Sequence, residues 1–204
     1  SISSKARTQI AFARTAEYDS IISNWLASSL KIKSPRRLVV SGKKESELRY
    51  GENPHQVATL YKNNNERSVL LRSKQVQGKE LSYNNINDLN TAFQLVKDLP
   101  DKPAVVIVKH ANPSGVAIGD TLLDAYMGAY NCDRTSAFGG IVAVNRSLDK
   151  ETALAITEIF TEVVIAPNAD REAFNIFSKK KNLRLLITGN ENSFEKEEKQ
   201  LKQV

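Results

Sequence analysis

A lysine and a histidine stand side by side at the end of an apolar run, Val105-Val106-Ile107-Val108-Lys109-His110-Ala111-Asn112-Pro113-Ser114-Gly115. The four apolar, mostly β-branched residues read as a buried strand. Pro113 and Gly115 read as forcing a turn behind it. A cation, a group that titrates near neutral pH and a loop of backbone donors are then gathered at a strand's end, where open α/β sheets place ligand sites. Such a pair suits proton transfer: His110 as general base, with Lys109 a fixed positive charge that opposes protonation of the imidazole and stabilises a developing anion. A plain polar surface turn fits the same residues.

The only other histidine, His55, lies in a second polar turn, Arg49-Tyr50-Gly51-Glu52-Asn53-Pro54-His55-Gln56. There Arg49 could grip a phosphate, with Tyr50 adding a ring and a hydroxyl. An ordinary turn with Gly51 at positive φ is the alternative. Ser136-Ala137-Phe138-Gly139-Gly140 precedes a strand. It is a tight entry turn, or a place where paired glycines let a ligand approach the backbone. Asn84-Asn85-Ile86-Asn87-Asp88 reads as helix capping rather than catalysis.

Several chemistries lack their residues. One cysteine and no His-x-Glu leave no zinc-deaminase ligand set. The Walker loop, the Gly-x-Gly-x-x-Gly fingerprint and the Gly-x-Ser-x-Gly elbow are also absent from the sequence.

The 204 residues suit one domain, or a domain plus a piece of another, and 41% hydrophobic with 25% charged residues is ordinary for a globular protein. The single cysteine, Cys132, cannot form an internal disulfide, so a reducing cytoplasm is the expected location. No apolar stretch approaches a membrane span, and no signal-peptide core opens the chain. The net charge of +6 is concentrated at residues 31–37 and 179–181. Those runs lack interleaved aromatics, which argues against a nucleic-acid partner. Solvated faces, or a field that concentrates a small anion, are the remaining readings.

Positioning these residues falls to a strand–helix alternation. Residues 4–30 have helical periodicity, read as two short helices with Asp19 or Ser20 capping the second. Leu38-Val39-Val40 and Val57–Tyr61 read as strands, Gly42–Glu47 as a connector and 62–65 as a loop. From residue 81 the pattern predicts helix 81–99, strand 104–108, helix 121–130, strand 141–144, helix 150–160, strand 163–166, helix 171–180 and strand 183–187. That alternation implies a three-layer α/β unit with a mostly parallel sheet. The charged tail 191–204 reads as a helix lying over something else.

Taken together, Leu48–Gln56, Val108–Ala117 and Ser136–Ala143 resemble the bifunctional purine-biosynthesis family that joins AICAR transformylase to IMP cyclohydrolase, in its bacterial form. Lesser matches are Asn85–Asp88, Val164–Pro167 and Ser178–Asn182, and the order and spacing fit from about residue 5 to about residue 188. The resemblance implies paired cytidine-deaminase-like α/β subdomains without zinc. It also implies formyl transfer from 10-formyltetrahydrofolate to the 5-amino group of AICAR, in a cytoplasmic homodimer whose site is shared between protomers. By the same resemblance His110 is the proton acceptor and Lys109 the transition-state stabiliser. Arg49, Tyr50, Phe138 and Gly139 would bind the nucleotide, Glu162 would be an acidic substrate contact and Asn85 a polar position near the ligand.

The family's full chain is more than twice this long. The resemblance therefore implies that residues 1–40 are the end of the cyclohydrolase domain and its linker, and 41–204 the first transformylase subdomain. The folate contacts would lie in a second subdomain not included here, and the isolated chain is expected to be nearly inactive. A non-catalytic fragment that binds AICAR and dimerises is the alternative within the family. A small basic nucleic-acid module is the alternative outside it.

Overall fold

Val105 and Ile107 pack into one hydrophobic cluster while Val106 and Val108 pack into another, and all four are buried. A strand apolar on both faces needs cover on both faces, and the rest of the architecture supplies it. The computed structural model of the chain describes residues 3–63 and 69–189. Among them are two units, one formed by 3–47 with 59–63 and the other by 48–58 with 69–189.

The first unit holds helix α1 (Ser4–Ser29) and the antiparallel strands β1 (Lys43–Glu47) and β2 (Thr59–Lys62). The two short helices expected here are one helix of 26 residues. Nothing breaks it: the first proline is Pro35, the first glycine is Gly42, and Ser20 stays helical and buried instead of capping. Ser3 Oγ accepts from Ala6 N at the start. At the end Lys31 turns left-handed (φ 55°), with Ile32 N donating to Ala27 O and Lys31 N to Ser28 O. That is a Schellman closure. The strand expected at 38–40 is irregular. β1 forms instead from the exposed, polar 43–47, through pairing rather than burial.

The second unit runs α2 (Val69–Arg72), β3 (Lys74–Gln77), α3 (Tyr83–Asp98), β4 (Ala104–Lys109), β5 (Asn112–Ile118), α4 (Leu122–Cys132), α5 (Arg134–Ala137), β6 (Ile141–Val144), α6 (Lys150–Glu158), β7 (Val163–Ala166), α7 (Arg171–Ser178) and β8 (Arg184–Ile187). Its sheet has the order β3-β8-β7-β6-β4-β5. Leu89, Ala92, Phe93 and Val96 of α3 cover one face. Tyr126 of α4, Ile156 of α6 and Phe177 of α7 lie in the cluster on the other. The three layers are as expected.

The sheet is mixed rather than mostly parallel. β6-β7-β8 form a parallel centre, while β3–β8, β4–β6 and β4–β5 are antiparallel. The sequence reading missed β5 because Pro113 and Gly115 look like turn residues. In the structure they lie inside that edge strand, where a proline without an N–H is tolerated. Gly115 is required by close packing, since a Cβ there would lie 1.9 Å from Ala129 O of α4. The charged tail 191–204 and positions 64–65 fall outside the described residues.

Polar side chains start the helices. Ser82 and Thr121 form capping boxes with Asn85 and Asp124, and Asp149 and Asp170 cap α6 and α7. Pro100 follows the last residues of α3, whose C-cap Leu99 is extended, as a residue preceding proline prefers.

Candidate active site

Lys109 ends β4, and the chain reverses over just two residues before Asn112 pairs back with Lys109. Those two, His110 and Ala111, have φ of 52° and 58°. A two-residue hairpin with both central residues left-handed normally takes Asn-Gly or a similar pair. For L residues with a Cβ the conformation costs roughly 1–2 kcal/mol each. The turn is therefore made by the histidine itself, not by the proline and glycine behind it. Strain of this kind gathers where function requires a fixed geometry.

Contacts hold the turn in place. Asn112 Nδ2 donates to His110 O at 2.9 Å, and Ala111 N donates to Asp88 Oδ1 of α3 at 2.7 Å. The Lys109 ammonium donates to Gly139 O at 2.8 Å. Gly139 is itself left-handed (φ 66°), and its N–H donates to Phe160 O at 2.7 Å. A Cβ on residue 139 would sit 2.9 Å from Lys109 Nζ. The close approach that the glycine pair permits is thus first an approach by this lysine.

Register explains why these groups meet. Val108 pairs with Ile141, and Ile141 with Val163. Lys109 leaving β4, Gly140 entering β6 and Glu162 entering β7 therefore share one end of three neighbouring strands. That end is the carboxyl end of β4 but the amino end of the parallel strands, so only β4 obeys the usual placement.

Glu162 N donates to Gly140 O at 3.0 Å, and Glu162 Oε2 accepts from Asn85 Nδ2 at 2.9 Å. Asn85 does cap α3, as expected, since its Oδ1 accepts from Ser82 N. The same amide also reaches the Glu162 carboxylate, so capping and site geometry use one residue. Arg49 and Tyr50 are tied to this helix start: Arg49 N donates to Leu81 O, Tyr83 N to Tyr50 O, and Asn84 Nδ2 to Glu52 O. The Arg49 guanidinium lies 5.5 Å from the Tyr50 ring centre.

Phe138 is 61% exposed and packs against Phe160, with ring centres 5.6 Å apart. Ahead of it, Asp133 caps α5. The Ser136 hydroxyl and N–H hold its carboxyl below the usual range. A cavity of about 260 Å³ beside the cluster shares only Phe160 with it and is otherwise lined by residues 157–161 and 180–183. His55 is exposed in its turn.

A model of the AICARFT/IMPCHase bienzyme family matches residues 2–204. The chain belongs to that family.

Among curated relatives, the bifunctional purine biosynthesis protein PurH of Paracoccus denitrificans is 59% identical over 185 residues, 90% of this chain and 35% of that protein. The protein of the same name from Ruegeria sp. strain TM1040 is 60% identical over 182 residues, 88% of this chain and 34% of its own length. That of Parvibaculum lavamentivorans is 55% identical over 186 residues, covering 90% and 35%. The chain thus spans about a third of the length of these relatives.

Two residues of this bienzyme-family chain escaped the sequence reading. Phe160 was read only as the end of a helix, and Asp88 only as part of a capping segment. Asp88 follows Asn85 by three positions in a helix, which places both on one face. That spacing is the signal that would have found it.

Proposed function

We propose that this chain carries the AICAR side of a formyl-transfer site. The observation that carries the proposal is the Lys109–Gly139 contact beside the left-handed His110 turn, at the strand end where Asn85 and Glu162 also meet. In this reading Arg49 holds the nucleotide's phosphate, Tyr50, Phe138 and Gly139 bound its ring and ribose, and Asn85 with Glu162 receives its polar edge.

The AICAR amine is conjugated with its ring and carboxamide and is a weak nucleophile. His110 accepts its proton as the nitrogen attacks the formyl carbon of 10-formyltetrahydrofolate. Lys109 stabilises the tetrahedral oxyanion. The carbon–N10 bond then breaks, the folate nitrogen takes up a proton, and formylated AICAR and tetrahydrofolate leave. Arg49 contributes by orienting the amine. Holding the ammonium against a carbonyl gives it a fixed position before substrate arrives.

The proposal extends to the rest of the molecule. Residues 1–40 belong with a cyclohydrolase domain and 41–204 with the first transformylase subdomain. The folate contacts come from outside this chain, the site is shared in a homodimer, and the protein works in the cytoplasm. Among the described residues no helix is long and apolar enough to cross a membrane, and no group of three or more His, Cys, Asp or Glu side chains could hold a metal.

The test is formyl transfer by the complete gene product, with AICAR and 10-formyltetrahydrofolate, beside the same assay on these 204 residues. Turnover by the complete product and near-inactivity of the shorter chain are expected. Unchanged turnover after His110→Ala would overturn the reading.

A further inference from the structure

The His110 turn is bent the wrong way for its residues, and something outside it must keep it so. Two consecutive non-glycine residues at φ 52° and 58° relax unless they are tied down. The Lys109–Asn112 pairing and the Asn112 Nδ2–His110 O bond are internal to the hairpin and would travel with it. The bond from Ala111 N to Asp88 Oδ1 is different: at 2.7 Å it crosses to another element. Helix α3 is a firm anchor, since Leu89, next to Asp88, is fully buried and the Ser82–Asn85 box fixes the helix start. Asn85, three residues before Asp88, reaches Glu162 from the same helix face.

We propose that Asp88 is a positioning residue for His110. Its carboxylate holds the Ala111 amide, so the imidazole is presented from a turn locked to the helix that also fixes Glu162. The assignment rests on the reading of His110 as proton acceptor. Asp88 touches no reacting atom; it acts through the turn, and what it supplies is orientation of the base.

The experiment compares Asp88→Ala, Asp88→Asn and His110→Ala in the complete gene product, and follows the Ala111 amide by hydrogen exchange in the parent and the two Asp88 variants. Asp88→Ala is expected to speed exchange at Ala111 by about tenfold or more and to lower kcat on the order of 10- to 100-fold, with KM for AICAR within about twofold. Asp88→Asn retains an acceptor oxygen and should return both readouts close to the parent. A role in stability alone predicts a lower melting temperature with kcat per folded molecule unchanged. That result, or Ala111 exchange unaltered in Asp88→Ala, overturns the proposal. Normal turnover by His110→Ala sinks the reading of the site instead, so the two failures are told apart.

Discussion

Lys109 and Gly139 are matched to one another: the ammonium donates to the glycine carbonyl at 2.8 Å and occupies the space a Cβ on residue 139 would need, 2.9 Å from Nζ. Gly139→Ala therefore does two things. It forces a Cβ into a left-handed residue at about 1–2 kcal/mol, and it pushes the lysine off its seat. Denaturant melts should show that loss of stability, and the formyl-transfer assay should show a fall in kcat larger than the stability loss explains. An alanine variant with parent-like kcat would mean the lysine's seat is irrelevant to turnover.

The two cationic residues should separate kinetically. In its proposed role Lys109 acts chiefly on the developing oxyanion, so Lys109→Ala is expected to lower kcat by about 100- to 1000-fold. In its proposed role Arg49 grips the nucleotide in ground and transition states alike, so Arg49→Ala is expected to raise KM for AICAR by about 10- to 100-fold with kcat nearly intact. Steady-state kinetics on both variants decides it, and the reverse pattern would contradict the assigned roles.

Gly115 is a packing residue, not a hinge. Its missing Cβ would fall 1.9 Å from the Ala129 carbonyl, a backbone atom that cannot swing aside. Gly115→Ala should pry α4 from β5 and cost about 1–3 kcal/mol or more, read as a lower urea midpoint. An unchanged midpoint would show that the helix slides freely over this strand.

Tyr126 sets an alkaline limit. Burial, reinforced by Tyr130 and Glu158, pushes its phenol well above the ordinary value of 10.0. It packs 2% exposed, stacked on Tyr130 with ring centres 6.0 Å apart. The folded state favours the neutral phenol, so this contribution is complete below the unfolded pKa near 10 and is lost as pH rises beyond it. Urea midpoints should fall above pH 10 in the parent chain and fall less steeply in Tyr126→Phe. Equal slopes would remove Tyr126 as the cause.

The parts of the fold legible in the sequence are those with a period or a breaker. β6 and β7 fall at the residues expected because four consecutive apolar residues flanked by turn formers admit little else, and α3 ends just ahead of Pro100 as read. β3 was invisible because Gln75 and Gln77 look like loop residues. Their amides satisfy backbone carbonyls: Phe177 O, Lys180 O and Leu183 O share the two N–H groups of Gln77 Nε2. β5 was hidden by Pro113, whose suitability for an edge depends on a strand order that no local pattern encodes.

At the site, residue types and turn positions were readable. The left-handed His110, the Asp88 tie and the Phe160 contacts were not, because each depends on register or on a neighbour far along the chain.

The rim of the sheet at β5 bears on how copies of the molecule can associate. Pro113 offers no donor there, and Ser114 is squeezed out of step where Ile107 pairs with Gly115 and Val108 with Pro113. A neighbouring strand arriving at that rim finds a broken row of amides, so continuous sheet extension between two molecules is disfavoured on this side. Fibril-like stacking is thereby discouraged at the hairpin that carries the His110 imidazole.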